Sequence, residues 1–174
     1  MNIIVAGPCG VGKSTTSCLF AQQAGMKYLD FDKLRATKNS LACSLRSLNI
    51  IECLSQELNS AFMSFLLDIG GGTVFRPNTN NDERLKQIYQ LKKKYSAKVV
   101  ILTANQDVLF ERYINIETKG TVNKAQNTIY FNRLWSDWLI FEQPRWEECR
   151  DIIIDTSFLT IDGVIGQIEA DLKV

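Results

Sequence analysis

The sequence of 174 residues contains no histidine, and this absence narrows the chemistry open to the chain. Histidine is the commonest general base in enzymes, so any proton acceptor has to be a carboxylate or a substrate phosphate. The five cysteines include no pair with C-x-x-C spacing, and without histidine they do not predict a zinc site. We therefore expect free thiols and a reducing compartment.

Long apolar runs and a strong net charge are also missing. No run approaches the roughly eighteen apolar residues of a membrane-spanning helix, and the chain begins with a predicted strand instead of a targeting segment. The formal net charge is +1, and the one basic run, 92–94, ends a predicted helix, where cations complement the helix dipole. These features predict a cytoplasmic protein that binds neither nucleic acid nor membranes. We further expect a monomer or a weak dimer.

Strand and helix patterns alternate along the chain. Short apolar runs predict five strands, at residues 3–6, 27–30, 65–69, 98–103 and 151–155. Helical patterns occupy residues 13–24, 40–63, 81–95, 106–114, 125–149 and 161–172. The alternation predicts one α/β domain over residues 1–174, with three layers and a five-stranded parallel sheet between helices. Ligands of such sheets bind at the carboxyl ends of the strands.

A glycine-rich segment follows the first predicted strand. It reads Gly7-Pro8-Cys9-Gly10-Val11-Gly12-Lys13-Ser14 and fits G-x-x-x-x-G-K-[ST] at every fixed position. Glycines let successive backbone N–H groups turn toward phosphate oxygens, and the following helix adds its positive dipole end. The segment predicts a nucleoside triphosphate site made by Gly7, Cys9, Gly10, Val11, Gly12, Lys13, Ser14 and Thr15. We expect Lys13 to contact the β- and γ-phosphates and Ser14 to bind Mg²⁺.

Two acidic residues and three glycines follow the second and third predicted strands. Strand alternation puts Asp30 and Asp32 on one face, beside the phosphate loop. One carboxylate is expected to bind Mg²⁺ through water and the other to accept a hydrogen bond from an attacking hydroxyl. The competing interpretation is that Asp32 caps the next helix. After the third strand, Gly70, Gly71 and Gly72 would let an acceptor molecule approach the backbone closely.

Taken in this order, the motifs resemble the shikimate kinase family. The phosphate loop, Asp30-x-Asp32 and the glycines 70–72 follow the first, second and third strands, as in that family. The segment 108–112 is similar to the stretch after the family's fourth strand, and 144–156 is similar to its R-x-P-L-Y-x-E-x-A-D-x-x-V-D-T stretch. The similarity covers nearly the whole chain and is specific as a set.

The resemblance implies ATP-dependent phosphoryl transfer to a hydroxyl of a small acid, with Mg²⁺ as cofactor. It implies that Asp30 binds Mg²⁺ through water and that Asp32 contacts the acceptor hydroxyl. It places the acceptor against Gly70, Gly71 and Gly72. It also places the adenine near Arg112 and the loop after Thr156. A mobile lid would span about 114–128, and the phosphate-loop strand would lie in the middle of the sheet.

The arginines that hold the acceptor in this family are replaced here. The family's F-R-x-x-E pattern aligns with residues 48–52, where Asn49 stands in place of arginine. Glu142 stands two residues before the late proline, again in place of arginine. Losing two charge-assisted hydrogen bonds, each worth about 1.5–3 kcal/mol, would weaken carboxylate binding at least on the order of a hundredfold. A neutral polyol or nucleoside, contacted by Asn49, therefore fits better than shikimate.

The lid segment has also lost its arginine. The family's T-V-R-P pattern aligns with residues 121–124, where Asn123 replaces arginine. Lys119 or Lys124 is expected to supply a catalytic point charge instead, without bidentate geometry, and Arg133 is a further candidate. Such a cation stabilises charge on the transferring phosphoryl group.

Several functions remain open beside this leading one. Shikimate kinase activity is retained if Arg35, Arg46 or Arg145 compensates for the lost arginines. A nucleoside monophosphate kinase would need several arginines for the acceptor phosphate, which the lid lacks. An ATP-binding regulatory protein without efficient transfer is the alternative outside enzymes. Phe131, Trp135 and Trp138 have the spacing of one helical face, which favours core packing over an aromatic pocket wall.

Overall fold

The computed structural model describes residues 1–37, 48–58, 64–70, 72–117 and 124–173. Five parallel strands form one sheet in the order β2-β3-β1-β4-β5. The strands are β1 (Asn2–Ala6), β2 (Lys27–Asp30), β3 (Phe65–Asp68), β4 (Ala97–Thr103) and β5 (Ile152–Asp155). The α/β prediction is confirmed, and β1, which leads into the phosphate loop, lies between β3 and β4.

Helices cover both faces of the sheet. In the described part of the chain they are α1 (Lys13–Gln23), α2 (Phe31–Thr37), α3 (Ile50–Leu58), α4 (Asn81–Tyr95), α5 (Gln106–Glu117), α6 (Lys124–Asp137), α7 (Gln143–Cys149) and α8 (Ile161–Leu172). Alternate residues of β1 pack on opposite faces of the sheet: Ile4 belongs to one apolar cluster, and Ile3 belongs to the other. Both are fully buried, as expected of a sheet covered on both sides.

The short helix α2 is absent from the sequence prediction. Strand β2 ends at Asp30, and the Asp30 carboxylate accepts a hydrogen bond from the N–H of Lys33 at 3.0 Å. Asp30 therefore caps this helix, and Asp32 lies in its first turn, so the alternative in which Asp32 is the cap is wrong. Of the predicted helix over 40–63, the part at α3 is observed, while 40–47 and 59–63 lie outside the described residues.

The long helix predicted over 125–149 is interrupted. Helix α6 ends at Asp137, the π-helical turn Trp138–Glu142 follows, and α7 continues the chain. Pro144 has no N–H to donate to the carbonyl four residues earlier, which favours a break at this place. The three aromatic residues with the spacing of one helical face pack in the core, as the sequence predicted, and Trp135 packs against both apolar clusters. Phe131 and Trp138 are both buried, in different apolar clusters.

One cysteine of the described residues differs from the sequence expectation. Cys9, Cys18 and Cys149 form no disulfide, but Cys53 is disulfide-bonded, so the expectation of free thiols is wrong for this residue. The expectation of a reducing compartment rested on free thiols, and the disulfide at Cys53 counts against it. Among the residues that the structure describes, no helix combines the length and the apolar character needed to cross a bilayer.

Candidate active site

The phosphate loop connects β1 to α1 and leaves the start of that helix without a side-chain cap. Gly12 is the N-cap residue with φ of 93°, a left-handed conformation that favours glycine. No side chain accepts from the first-turn N–H groups, and the first turn contains no acidic residue. Free N–H groups and the positive dipole end therefore face the same side, which suits an anion.

Lys13 lies inside the loop with its ammonium group hydrogen-bonded to the chain. Lys13 Nζ donates to the carbonyl oxygens of Gly7 at 2.8 Å and Pro8 at 2.9 Å. Burial lowers the pKa of Lys13, while the nearby carboxylates, Asp68 first among them, act in the opposite direction. Asp32 and Glu142 are further acidic neighbours of the same ammonium group. Lys13 thus forms hydrogen bonds within the phosphate loop and interacts electrostatically with the carboxylates of Asp32, Asp68 and Glu142.

Asp68 is a site residue that the sequence analysis missed. It ends β3, is 3% exposed, and accepts a hydrogen bond from the Tyr28 hydroxyl at 3.0 Å. It also hydrogen-bonds with Ser14. Burial raises the pKa of Asp68, whereas the hydrogen bond with Ser14 and the charge of Lys13 act to lower this pKa. Its Oδ1 has no hydrogen-bond partner among the described residues. The available signal was an acid directly after the apolar run 65–67, at the edge where ligands bind.

Asp32 lies against the loop that follows β3 and contains Gly70, Gly72 and Thr73, which is called the glycine loop. Thr73 Oγ1 donates to Asp32 Oδ1 at 2.5 Å. A Cβ placed on Gly70 would lie 1.8 Å from Asp32 Oδ2, so a side chain at this position would displace the carboxylate. The observed contact of Gly70 is thus with Asp32. Asp30 has both oxygens engaged by Lys33, through its N–H and through an ion pair of 3.1 Å.

Two cavities adjoin the phosphate loop on opposite sides. The first, called the apolar cavity, has a volume of about 440 Å³ and is lined by Gly10, Val11, Gly12, Thr15, Arg112, Thr156, Ile161 and others. The second, called the carboxylate cavity, has a volume of about 470 Å³ and is lined by Ser14, Asp30, Asp32, Lys33, Arg35, Ala36, Asp68 and Gly70. The loop therefore separates a mainly apolar space from an acidic one.

Arg112 connects three segments at the apolar cavity. Its guanidinium donates to Thr156 Oγ1 at 2.9 Å and to the Thr156 carbonyl at 2.8 Å. The Thr156 hydroxyl in turn donates to the carbonyl of Val11 at 3.4 Å. The structure thus brings together Arg112, the loop after β5 and the phosphate loop, which the resemblance placed around an adenine.

Glu142 lies at the end of the π-helical turn and faces the site. It is 2% exposed and accepts hydrogen bonds from the backbone N–H of Gly72 and the indole of Trp146. Burial raises the pKa of Glu142 to about 8, against the effect of the Lys13 charge. A small cavity of about 40 Å³, called the Glu142 cavity, is lined by Pro8, Cys9, Gly72, Phe75, Arg76, Pro77, Leu134, Asp137, Trp138 and Glu142.

Asn49 has a structural role at the start of α3. Its Oδ1 accepts from the N–H of Glu52 at 3.1 Å, and its Nδ2 donates to the Glu52 carboxylate at 3.4 Å. The first of these bonds caps the helix, because Asn49 directly precedes α3. Asn49 lines none of the three cavities, so its predicted contact with the acceptor has no support in the geometry.

Other predicted groups lie outside the described residues or away from the site. Gly71, Lys119, Asn123 and Arg46, and most of the predicted lid, fall outside the described part of the chain, as does the side chain of Lys124. Arg145 forms an ion pair of 2.8 Å with Asp82 and lines none of the three cavities. Arg35 lines the carboxylate cavity, and its buried Nε has no partner in the described part of the chain.

Solved structures with known activities share this architecture. The shikimate kinase of Bacteroides thetaiotaomicron superposes with a TM-score of 0.64 at 17% identity, covering 100% of this chain and 99% of that one. A gluconokinase from Sinorhizobium meliloti gives a TM-score of 0.63 at 17% identity, covering 99% and 91%. At this identity the likeness shows the fold alone.

One curated relative is similar in sequence. It is an adenylate kinase of Novosphingobium aromaticivorans, 33% identical over 136 residues, which cover 72% of this chain. The chain spans 63% of the length of that relative. No family model matches the sequence.

The solved structures show that the chain has the P-loop kinase fold. The resemblance to the shikimate kinases is thereby confirmed at the level of the fold.

Proposed function

We propose that this protein transfers the γ-phosphoryl group of ATP to a hydroxyl of a small molecule. The observation that carries the proposal is the position of the phosphate loop between two cavities. Residues 10–12 line the apolar cavity, and Ser14 lines the carboxylate cavity. A nucleotide in the first cavity would direct its terminal phosphate toward an acceptor in the second.

The apolar cavity suits the nucleoside part of ATP. Its lining is mainly apolar, and the planar guanidinium of Arg112, held by Thr156, offers a surface on which a base stacks. The phosphates would then lie over the uncapped N-terminus of α1. Lys13 would exchange its bonds to two loop carbonyls for bonds to the β- and γ-phosphates.

The residues beside Ser14 fit a bound Mg²⁺. Magnesium prefers oxygen ligands, and in kinase sites it takes one or two protein carboxylates besides phosphates and water. Asp68 supplies a buried carboxylate oxygen without a partner in the described structure, and Ser14 supplies a hydroxyl next to it. When bound, the ion neutralises negative charge on the phosphates. Asp30 lines the same cavity and remains a candidate for contact through water.

The acceptor hydroxyl would lie in the carboxylate cavity beside Asp32. Its oxygen attacks the γ-phosphorus, the bond from this phosphorus to the β,γ-bridging oxygen breaks, and ADP leaves. The hydroxyl proton goes to the Asp32 carboxylate, which Thr73 orients. Positioning and charge neutralisation account for most catalysis of this kind, so a site without histidine is sufficient. A point charge from Lys124 in the lid stays a prediction.

A nucleoside monophosphate is the second candidate acceptor. The adenylate kinase relative suggests it, and Arg35 adds a specific observation. This guanidinium lines the carboxylate cavity with its Nε unpaired among the described residues. It is therefore placed to bind an acceptor phosphate or another anionic group.

The test is release of ADP from Mg-ATP in the presence of single acceptors. Shikimate, gluconate, myo-inositol and AMP span the candidate classes. Lys13→Ala serves as the blank, and Lys86→Ala, which removes an exposed lysine of α4 outside the cavities, is the matched control. Acceptor-dependent release that the blank loses supports the proposal, and release with AMP alone selects the nucleotide kinase. Bound ATP with no turnover on any acceptor favours the regulatory alternative.

A further inference from the structure

The Glu142 cavity is not used by the proposed chemistry, although it adjoins the site. Glu142 occupies the position where the resemblance places an arginine that binds the acceptor. Its carboxylate is buried, and Oε2 has no hydrogen-bond partner among the described residues. Burial of this oxygen without a partner disfavours the ionised carboxylate and raises the pKa of Glu142. A cationic group that arrives with a ligand would therefore bind as the carboxyl group loses its proton.

The carboxylate is held in a fixed orientation. The backbone N–H of Gly72 and the indole of Trp146 both donate to it, and the π-helical turn brings it to this place. One residue further along the glycine loop, Thr73 donates to Asp32. Glu142 and Asp32 thus contact adjacent residues of one loop. Both carboxylates also act on the charge of the Lys13 ammonium, so they lie around one group of the site. On this basis one small molecule would contact the proton acceptor with its hydroxyl and Glu142 with another group.

The charges around the cavity favour a positive group on the ligand. Asp137 adds a second carboxylate to the lining, while Arg76 is the one cation among the lining residues. Lys13 is also close enough to influence Glu142, but in the proposed function its ammonium binds phosphates. The charges of Arg76 and Lys13 both act on Glu142, but among the described residues neither side chain forms an ion pair with its carboxylate.

We propose that the acceptor carries a protonated amine that donates to Glu142, so that this chain phosphorylates an amino alcohol. The inference rests on the proposed function and specifies its substrate class. The volume of about 40 Å³ accommodates a group as compact as an ammonium and excludes a whole ring. The ring or chain that carries the hydroxyl would lie in the larger carboxylate cavity. Glutamate in place of arginine thereby reverses the charge that the acceptor must present at this point.

The decisive experiment measures direct binding of matched probes by calorimetry, with Mg²⁺ and saturating ADP present so that phosphates engage Lys13. The probes are shikimate, myo-inositol, 2-deoxystreptamine and ethanolamine, which differ in charge while each carries a hydroxyl. Wild-type protein is compared with Glu142→Gln, Glu142→Arg and Glu148→Gln. Gln keeps the shape and one acceptor oxygen for Gly72 and Trp146, and Glu148 is an exposed glutamate outside the cavity that serves as the control.

The expected result is that at least one amine binds the wild type more tightly than its uncharged counterpart. Its affinity falls roughly ten- to hundredfold in Glu142→Gln and stays unchanged in Glu148→Gln. In Glu142→Arg the preference shifts toward shikimate. The inference is overturned if no amine binds better than myo-inositol, or if Glu142→Gln binds amines as well as the wild type does. The cavity would then hold only water.

A parallel measurement separates this inference from the proposed function. ADP release from Mg-ATP is followed with the same probes and proteins. ADP release with myo-inositol, without any preference for amines, overturns the inference and leaves phosphoryl transfer standing. Amine binding that depends on Glu142, without ADP release on any probe, supports recognition by Glu142 and counts against the proposed transfer.

Discussion

The two sides of the phosphate loop are built in different ways. The proposed nucleotide side consists of backbone groups of one contiguous segment, 7–15, together with Arg112 and the loop after β5. The proposed acceptor side consists of side chains from α2, the end of β3, the glycine loop and the π-helical turn. A motif with fixed spacing specifies the first side. The second depends on how distant elements meet, so its residues can change while the fold persists.

The largest loss expected on the acceptor side comes from Asp68→Asn. The change removes a charge beside Ser14 and leaves a buried amide among groups arranged for a carboxylate. Removing one such electrostatic group costs about 10²–10³ in kcat. Asp30→Asn is the matched comparison, because Asp30 lines the same cavity but is engaged by Lys33. Steady-state assays with saturating Mg-ATP measure kcat of both variants. A larger loss of kcat in Asp30→Asn than in Asp68→Asn would indicate that Asp30, and not Asp68, binds the metal ion.

Gly70→Ala should act on catalysis through Asp32. The new methyl group would collide with Asp32 Oδ2, so the carboxylate has to leave its place beside Thr73. We expect kcat to fall roughly ten- to hundredfold, because a misplaced general base loses most of its contribution. The KM for ATP should stay unchanged. Gly166→Ala in α8 meets no atom within 4 Å and is the control. Equal kinetics of the two variants would contradict the assignment of Asp32.

Glu142→Gln should stabilise the protein in a pH-dependent manner. The pKa of Glu142 rises from 4.5 to about 8 on folding because of burial, so the folded state keeps a proton that the unfolded chain releases. The wild type therefore loses stability as the pH rises through this window. The advantage of Gln should grow from near zero at the acid end to roughly 3–5 kcal/mol at the alkaline end. Denaturant unfolding of both proteins across this range measures it.

The smallest effect is expected for Asn49→Ala. Loss of the helix cap should cost about 0.5–2 kcal/mol of folding free energy. The KM for the acceptor should not change, because Asn49 lines none of the cavities. A thermal melt and one acceptor titration are sufficient. An increase in acceptor KM without a loss of stability would restore the role that the sequence alignment suggested for this residue.

Most of the sheet could be predicted from the sequence, because its strands are short apolar runs separated by long helical patterns. Asp68 escaped notice because its importance comes from the pairing of β3 with β1, which brings it to Ser14. Helix α2 was missed because Asp30 acts as a cap directly at the end of a strand. The π-helical turn places Glu142 in the site, but the sequence predicts this turn only through Pro144.

Equilibrium binding of Mg-ATP tests the account most directly, since both sides of the site depend on the phosphate loop. Calorimetric titration of wild-type protein should show one site. Lys13→Ala should weaken the binding by roughly a hundredfold, because it removes charge-assisted bonds to two phosphates. Lys86→Ala, the exposed control, should bind as the wild type does. Wild-type protein that does not bind Mg-ATP, or equal binding by Lys13→Ala, would contradict the account.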